Sequence, residues 1–496
     1  MFLKIQILMK ITWLFHMTFK KYHYTHMKLG FNHIIIGTVM SLTLASCAVG
    51  KKYQRPDLAL PEAYRNSVAV TGDTVLLPWR TFFKDQQLVT LINQALEKNK
   101  EVSVAMLNME QLDLSFKQAK LGLLPTLDLS VSAGRVYQSQ NSLNGSLSQQ
   151  FVGTSYMDDY TATLSLAWEA DIWGKAKMQK DAARANYFAQ KENLSALKTR
   201  IIAQVAQAYY NLLSLDEQLR VAERNITLSD STLRMIKLQY NAAQVNSLAV
   251  EQAVAQKKTA ELLVPLAKQN IAVQENALSI LCGDYPKNIA RNEAFHQDDL
   301  SNVFPDGVPA KLLSRRPDLK AAEFAIVAAN ANTGLSKAAM YPTLSITPSI
   351  GVNSFQFNNW FDLPGSLVKN IGGNIAQPIF RKKALKTAYE VAKLEQEKSA
   401  EQFLQSMMVA VGEVSDAMVK NKFANERLTL VDEKKAALTK AVKNAMLLYK
   451  AGMSTYLEVI VAQNNALQNE LDVITIQKDK YDAKIELYRA LGGGVE

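Results

Sequence analysis

The chain repeats itself. Lys120-Leu121-Gly122-Leu123-Leu124-Pro125-Thr126-Leu127 returns 217 residues later as Lys337-Ala338-Ala339-Met340-Tyr341-Pro342-Thr343-Leu344, and Gly134 returns as Gly351 at the same offset. Asp171-Ile172-Trp173 matches Pro378-Ile379-Phe380 at offset 207. Leu238-Gln239-Tyr240 and Leu248-Ala249-Val250 match Leu447-Leu448-Tyr449 and Leu457-Glu458-Val459 at offset 209. The matches keep their order, so the 496 residues hold two tandem copies of one plan of roughly 200 residues, and a fold that suits one copy must suit the other.

Each copy starts as a helical stretch that ends at a proline, Pro125 or Pro342. Alternation follows. Leu127, Leu129, Val131 and Ala133 oppose Thr126, Asp128, Ser130 and Ser132; in the second copy Leu344, Ile346 and Ile350 oppose Thr343, Ser345, Thr347 and Ser349. A period of two means strand. Tyr160, Ala162, Leu164, Leu166 and Trp168 mark a returning strand in the first copy, and Leu367–Gln377, with Gly372 and Gly373, a weaker one in the second. The segments Gln138–Asp159 and Asn358–Gly365 are polar and predict solvent-facing loops. Beyond the strands, Gly174–Gly283 has one proline (Pro265) and no internal glycine, and Arg381–Leu491 has only Gly412 and Gly452. Apolar residues recur there at helical spacing, as in Ile201, Val205, Ala208 and Leu212. Folded as antiparallel hairpins, the arms predict about 50 residues and roughly 75 Å each, in coiled-coil-like packing.

Four strands per chain cannot close a barrel, and an open edge in lipid leaves backbone groups unpaired at several kcal/mol each. Two chains give about eight strands and three give twelve; symmetric closure removes the edges. Trp168, Trp173 and Phe380 fall where strands meet helices, while Tyr160, Trp360 and other aromatics fall toward the loops, as in the two belts that bracket the apolar band of a membrane barrel.

Residues 1–46 hold five lysines and no acid, and the remainder carries a net charge of +5, too mild and too evenly spread for nucleic-acid binding. Lys28, the apolar run Ile34–Leu44 and then Leu44-Ala45-Ser46-Cys47 read as a secretory leader whose end resembles a bacterial lipobox. That resemblance makes Cys47 the acylated N-terminus, a covalent lipid being the only added group expected and no other cofactor, and Ala48 after it favours the outer membrane. Initiation at Met27 gives a leader of ordinary length and leaves residues 1–26 untranslated. Cys282, in an apolar stretch, reads as a buried thiol. One histidine, His296, lies beyond the leader, so a histidine triad, a zinc site and histidine acid–base chemistry are excluded, and there is no phosphate loop or dinucleotide fingerprint. Neither an enzyme nor a metal site is expected.

At this point the chain resembles the TolC-like outer membrane factors, or outer membrane efflux proteins, in their NodT-type lipoprotein branch. Tyr53-Gln54-Arg55-Pro56 looks like the family's Tyr-x-Arg-Pro. Leu313-Ser314-Arg315-Arg316-Pro317-Asp318-Leu319 with Ala322-Glu323 resembles its most recognisable motif. Trp168–Lys175 and Pro378-Ile379-Phe380 are similar to its two strand-to-helix signatures, and Ala451-Gly452-Met453-Ser454 to a helix break near an equatorial belt. Ala243, where the second copy has Gly452, departs from the pattern.

The resemblance implies a mixed all-α plus transmembrane β fold, internally duplicated, with four long-helix arms and four strands per chain. It implies a homotrimer with a 12-stranded β-barrel in the outer membrane lipids, on a 12-helix periplasmic α-barrel. A periplasmic adaptor and an inner-membrane efflux pump are the implied partners, and the chain becomes a passive exit duct for small molecules. On this reading residues 1–46 are the signal and 47–85 a lipidated segment and linker. Residues 86–283 form the first repeat (strands about 126–137 and 159–170, hairpin 174–283) and 284–309 an equatorial linker. Residues 310–491 form the second repeat (strands about 343–356 and 367–377, hairpin 381–491), and 492–496 a tail. The resemblance also sets Glu413 and Asp416, three apart on one helix face, near a narrow periplasmic aperture, where three-fold symmetry makes Asp416 a ring; Gln207 is the equivalent in the first copy. Arg315, Arg316, Pro317, Asp318 and Glu323 read as a helix start held by arginine–carboxylate pairs. The competing reading is a coiled-coil envelope lipoprotein without channel activity, which has no use for alternating strands.

Overall fold

The computed structural model describes residues 49–57, 61, 78–139, 141–151, 153–292, 295, 300 and 315–494. Cys47 and the leader, His296, most of the 284–309 linker, and Leu313 and Ser314 lie outside the described residues. The chain divides into two compact units.

The first unit is a four-stranded antiparallel sheet. β1 (Thr126–Tyr137), β2 (Tyr156–Ala170), β3 (Thr343–Ser354) and β4 (Leu367–Ala376) lie side by side in chain order. Each copy contributes one hairpin, and the copies join where β2 meets β3, with Leu164 opposite Ile350 and Thr163 opposite Gly351. Pro348 has no N–H to give, and the β2–β3 register skips the two residues of β2 opposite Thr347 and Pro348. The first-copy loop differs from the solvent-facing coil its composition predicts: it contains a helix, α4 (Leu143–Phe151), and β2 begins at Tyr156, because Tyr137–Tyr156 and Arg135–Asp158 continue the ladder.

The second unit is helical. It includes α1 (Trp79–Phe82), α2 (Gln86–Lys98), α3 (Lys100–Lys120), α5 (Lys175–Asn241), α6 (Ser247–Leu281), α7 (Pro317–Ala338), α8 (Ala384–Lys450) and α9 (Tyr456–Ala490). Short polar side chains start two of them. Asp85 accepts from Gln87 N at 2.8 Å and Asn99 from Glu101 N at 2.8 Å, satisfying amides that a helix start leaves open.

The arms are not equal. α5 and α8 have 67 residues each, about 100 Å. α6 and α9 have 35 each. The expected 50 is close to the mean, and the turn placed the difference. Ala243 (φ 53°) and Gly452 (φ 72°) take the left-handed conformation that closes a helix. Gln244 N then bonds Gln239 O and Met453 N bonds Leu448 O, both at 2.9 Å. Ala451–Ser454 is therefore the turn of the α8–α9 hairpin, not the helix break near an equatorial belt that the resemblance implied.

The main core joins the copies. Ile201, Ile202, Val205, Tyr209 and Leu212 of α5 are buried with Trp79, Phe82, Leu88 and Ile92 of α1 and α2, and with Tyr481, Ile485 and Tyr488 of α9. Phe82 stacks on Tyr488 with centroids 4.0 Å apart, and Tyr210 on Tyr481 at 4.4 Å. Each such side chain stabilises the fold by about 2–3 kcal/mol. Cys282 is buried beside this core, and burial pushes its thiol up to about 11, which keeps it protonated and inert.

Candidate functional site

Pairing register sorts the sheet into two faces. Leu127, Leu129 and Val131 stand opposite Leu166, Leu164 and Ala162, and Leu164 opposite Ile350. Ile346 and Leu344 pair with Trp168 and Ala170, and Ile375 continues the row beyond Leu344. The other face carries Thr126, Asp128, Ser130 and Ser132, then Thr161, Thr163 and Ser165, then Ser345, Thr347 and Ser349, and Asn370 and Asn374. Among the described residues β1 pairs only with β2 and β4 only with β3, so each presents an open edge. The apolar face is uncovered: Leu129 is 71% exposed and Ile371 85%. An exposed apolar face ending in two unpaired edges is unstable in water and in lipid alike unless another strand adds to it.

The aromatic residues gather at the sheet ends. At the loop end Tyr160 packs against Phe357 and Trp360, with centroids 5.4 and 5.6 Å away, and this cluster buries Trp360. Arg135 grips Asp158 at 2.6 and 2.8 Å and covers the Tyr156 ring at 3.9 Å. At the other end Trp173 packs against Tyr341 at 4.8 Å and donates its indole N–H to Pro342 O at 2.6 Å. Val49 N donates to Trp173 O at 3.4 Å, which brings the chain just after Cys47 to this end. Trp168 remains partly exposed, and Phe380 follows β4 as an exposed ring.

The helical unit holds the arginine–carboxylate residues. Pro317 begins α7, where its missing N–H costs nothing. The buried Arg316 guanidinium holds Asp318 at 3.0 and 2.6 Å, reaches Glu413 Oε2 at 2.7 Å and donates to Ala490 O at 3.3 Å. Arg489 holds the other Glu413 oxygen at 3.1 Å. Burial opposes the charge on Asp318, but the Arg316 hydrogen bonds and charge outweigh it and hold the carboxyl below the usual range. Glu323 has a different partner: Arg55 takes both its oxygens at 2.7 and 2.8 Å, and Tyr53 OH donates at 3.2 Å. Burial, then the Glu323 charge, pushes Tyr53 up to about 12. Asn330 holds Lys51 O at 3.0 Å, so the Tyr53–Arg55 motif is strapped along α7.

The aperture residues separate. Glu413 is engaged by two arginines; Asp416, one turn on, is exposed and makes no hydrogen bond among the described residues. Gln207 is half-buried on α5, also without one among the described residues. Lys420, one turn beyond Asp416, pairs with Glu486 at 2.8 Å.

Sequence reasoning missed two features. Arg291 binds Asp216 at 2.5 and 2.8 Å and Glu275 at 2.5 Å, and no local pattern announces it. Lys420–Glu486, Arg427–Asp479 and Lys434–Asp472 form an ion-pair ladder between α8 and α9, and their seven-residue spacing on both helices was a readable signal. Among the described residues no three His, Cys, Asp or Glu side chains converge to hold a metal, and no helix is long and apolar enough to cross a membrane.

A duplicated chain that carries an amphipathic open-edged sheet and two long helical hairpins defines a class: outer-membrane transport proteins. The chain belongs to the outer membrane efflux protein family, whose model matches residues 91–284 and 308–493. It is 28% identical to the cation efflux system protein CusC of Escherichia coli O157:H7, over 92% of this chain and 97% of CusC. It is 27% identical to the probable outer membrane lipoprotein SilC of Salmonella typhimurium, over 91% and 96%. It is 29% identical to the solvent efflux pump outer membrane protein SrpC of Pseudomonas putida, over 91% and 96%. A crystal structure of CusC superposes with a TM-score of 0.82 at 27% identity, covering 90% of this chain and all of that one. The protein is thus an efflux component of the outer membrane.

Proposed function

We propose that three copies close their sheets into a 12-stranded barrel and their hairpins into a 12-helix periplasmic tunnel, forming a passive exit duct for small molecules. A periplasmic adaptor joins the duct to an inner-membrane pump, which supplies the energy and selects the cargo. The observation that carries this reading is the pair of open edges, β1 and β4, flanking a sheet with one apolar and one Thr/Ser face. Lipid outside and water inside suit those faces, and association removes the edges. Acylation of Cys47 is part of the proposal, and the Val49–Trp173 bond supports an anchor at the helix-side end of the sheet.

In a trimer, three Asp416 carboxylates ring the narrow aperture and favour cations. Gln207 supplies the neutral positions between them, and Glu413, held by Arg316 and Arg489, fixes the wall behind. The names of CusC and SrpC assign cations to one relative and solvents to another, which agrees with cargo being chosen by the pump.

Reconstitution into planar bilayers tests the reading. Discrete ion currents from an oligomer that is heat-modifiable on gels are expected, with Asp416→Ala raising conductance or weakening block by divalent cations. A protein that remains a water-soluble monomer and passes no current would overturn it, and would favour the envelope-lipoprotein alternative. A Cys47→Ala chain that still incorporates labelled palmitate would overturn the anchor.

A further inference from the structure

We infer that Arg381, Lys382 and Lys383 form a docking surface for the phosphate headgroups of anionic phospholipid, at the end of the sheet that leads into the helices. The inference rests on the channel reading above.

The three cations follow β4 directly. All are exposed, and none has an acidic partner among the described residues. Arg381 lies five residues beyond Ala376, so the chain cannot carry it farther than about 17 Å from the strand end. Apart from Gln377 the residues leading to it are apolar, and the large ones are uncovered: Ile375 on the sheet, then Ile379 at 94% exposure and Phe380 at 81%. Apolar side chains followed at once by unpaired cations match the order of hydrocarbon, interface and phosphate in a bilayer.

The duplication supplies an internal control. Gly174 stands immediately before α5 with φ 73°, and Lys383 immediately before α8 with φ 61°. Glycine suits that conformation and lysine does not, yet the second copy has lysine there and again at Lys382, φ 49°. The first copy also neutralises itself, Lys175 pairing with Glu169 at 3.0 Å. Ile172, Trp173 and Gly174 precede α5 where Arg381, Lys382 and Lys383 precede α8, so the turn does not require the cations. Charge complementarity and the uncovered Ile379-Phe380 pair immediately before the cations in the chain together commit the surface to a negatively charged bilayer.

The test compares the reconstituted full-length protein with Arg381→Gln/Lys382→Asn/Lys383→Gly, whose residues tolerate the turn. Quenching of tryptophan by dibrominated phosphatidylglycerol or phosphatidylcholine gives the relative lipid preference. At about fivefold per cation near an anionic surface, the native protein should prefer phosphatidylglycerol by tenfold or more at low salt, and less in high salt. The variant should prefer it less than twofold, while Arg381→Lys keeps the preference. Equal preference in native and variant proteins that both conduct would overturn this inference alone. Absence of insertion and current in both would overturn the channel reading and this inference with it.

Discussion

Val221 on α5 is 2% exposed, whereas Leu430, at the same place on α8, is 64% exposed. The two helices have the same length and end in the same left-handed turn, so the backbone was copied and the surface was not. α5 is packed along its middle against α2, α6 and α9, while α8 leaves Leu394, Met408, Phe423 and Leu430 uncovered. The ion-pair ladder of the second hairpin has only amides on the α5 side of the first: Asn211, Gln218 and Asn225 stand where Lys420, Arg427 and Lys434 stand. The difference teaches that the middle of α5 became interior to the subunit while α8 kept an uncovered apolar surface, which in the trimer proposed above is a contact with a neighbour.

Experiments on matched positions would break or sharpen that contrast. The largest effect is expected from Arg316→Ala, which strands Asp318 and removes one of the two arginines that fasten α8 through Glu413. Denaturation should show a loss of about 3–5 kcal/mol, and the equivalent of Glu413 on α5, Gln204, should tolerate alanine. Acid should do part of the same damage. Asp318 titrates below its ordinary value when folded, so its contribution is present at neutral pH and is lost as pH falls below about 4. Next, Val221→Ala should cost about 2 kcal/mol. Leu430→Ala should shift the stability of a dissociated chain by less than about 0.5 kcal/mol yet shorten the lifetime of the oligomer on gels. Equal losses for both would end the interior-versus-contact distinction.

Smaller effects follow from the turns. Gly452→Ala should cost about 1 kcal/mol in thermal unfolding, because a Cβ is strained at that φ. Ala243→Gly should be neutral or stabilising, and matching signs would mean that the two turns are not alike. Asp482 occupies the place of Val273 in the first hairpin, and its buried Oδ1 has no hydrogen-bond partner among the described residues. Burial raises its carboxyl, Lys478 only partly offsets this, and Glu486 and Asp479 add to it. The raised value means that ionisation weakens the fold: the favourable share is complete below about pH 4 and is lost as pH rises through the folded value. Asp482→Asn should therefore stabilise the protein at pH 7 by melting temperature, with no gain at pH 4. Least of all, Arg427→Gln should cost about 0.3–0.5 kcal/mol at low salt and nothing at 1 M.

Three strands were legible because alternation such as Leu127, Leu129, Val131 needs no partner to be read, while Gly372 and Gly373 blurred the pattern of β4. The arm lengths were not. Alanine is the best helix former, so Ala243 carries no sign of the left-handed turn it makes, and only Gly452 hints at it. α4 was hidden for the opposite reason, a Ser/Gln/Asn/Gly composition that reads as loop. At the candidate site, periodicity set Glu413 and Asp416 on one face, but it could not tell that Arg316 and Arg489 engage one and leave the other in solvent. Glu323 was expected to meet an arginine, and the one it meets is Arg55, 268 residues away, a pairing that no local rule reaches.

The seam between β2 and β3 joins one copy to the other inside a single chain. If β4 of one subunit meets β1 of the next, that seam has the same two kinds of stave on either side. In the trimer proposed above, six unfused half-chains would make the same cask; fusion binds them as three hoops of covalent chain and lets alternate staves age differently. A ring made this way is six-fold in its carpentry and three-fold in its chemistry.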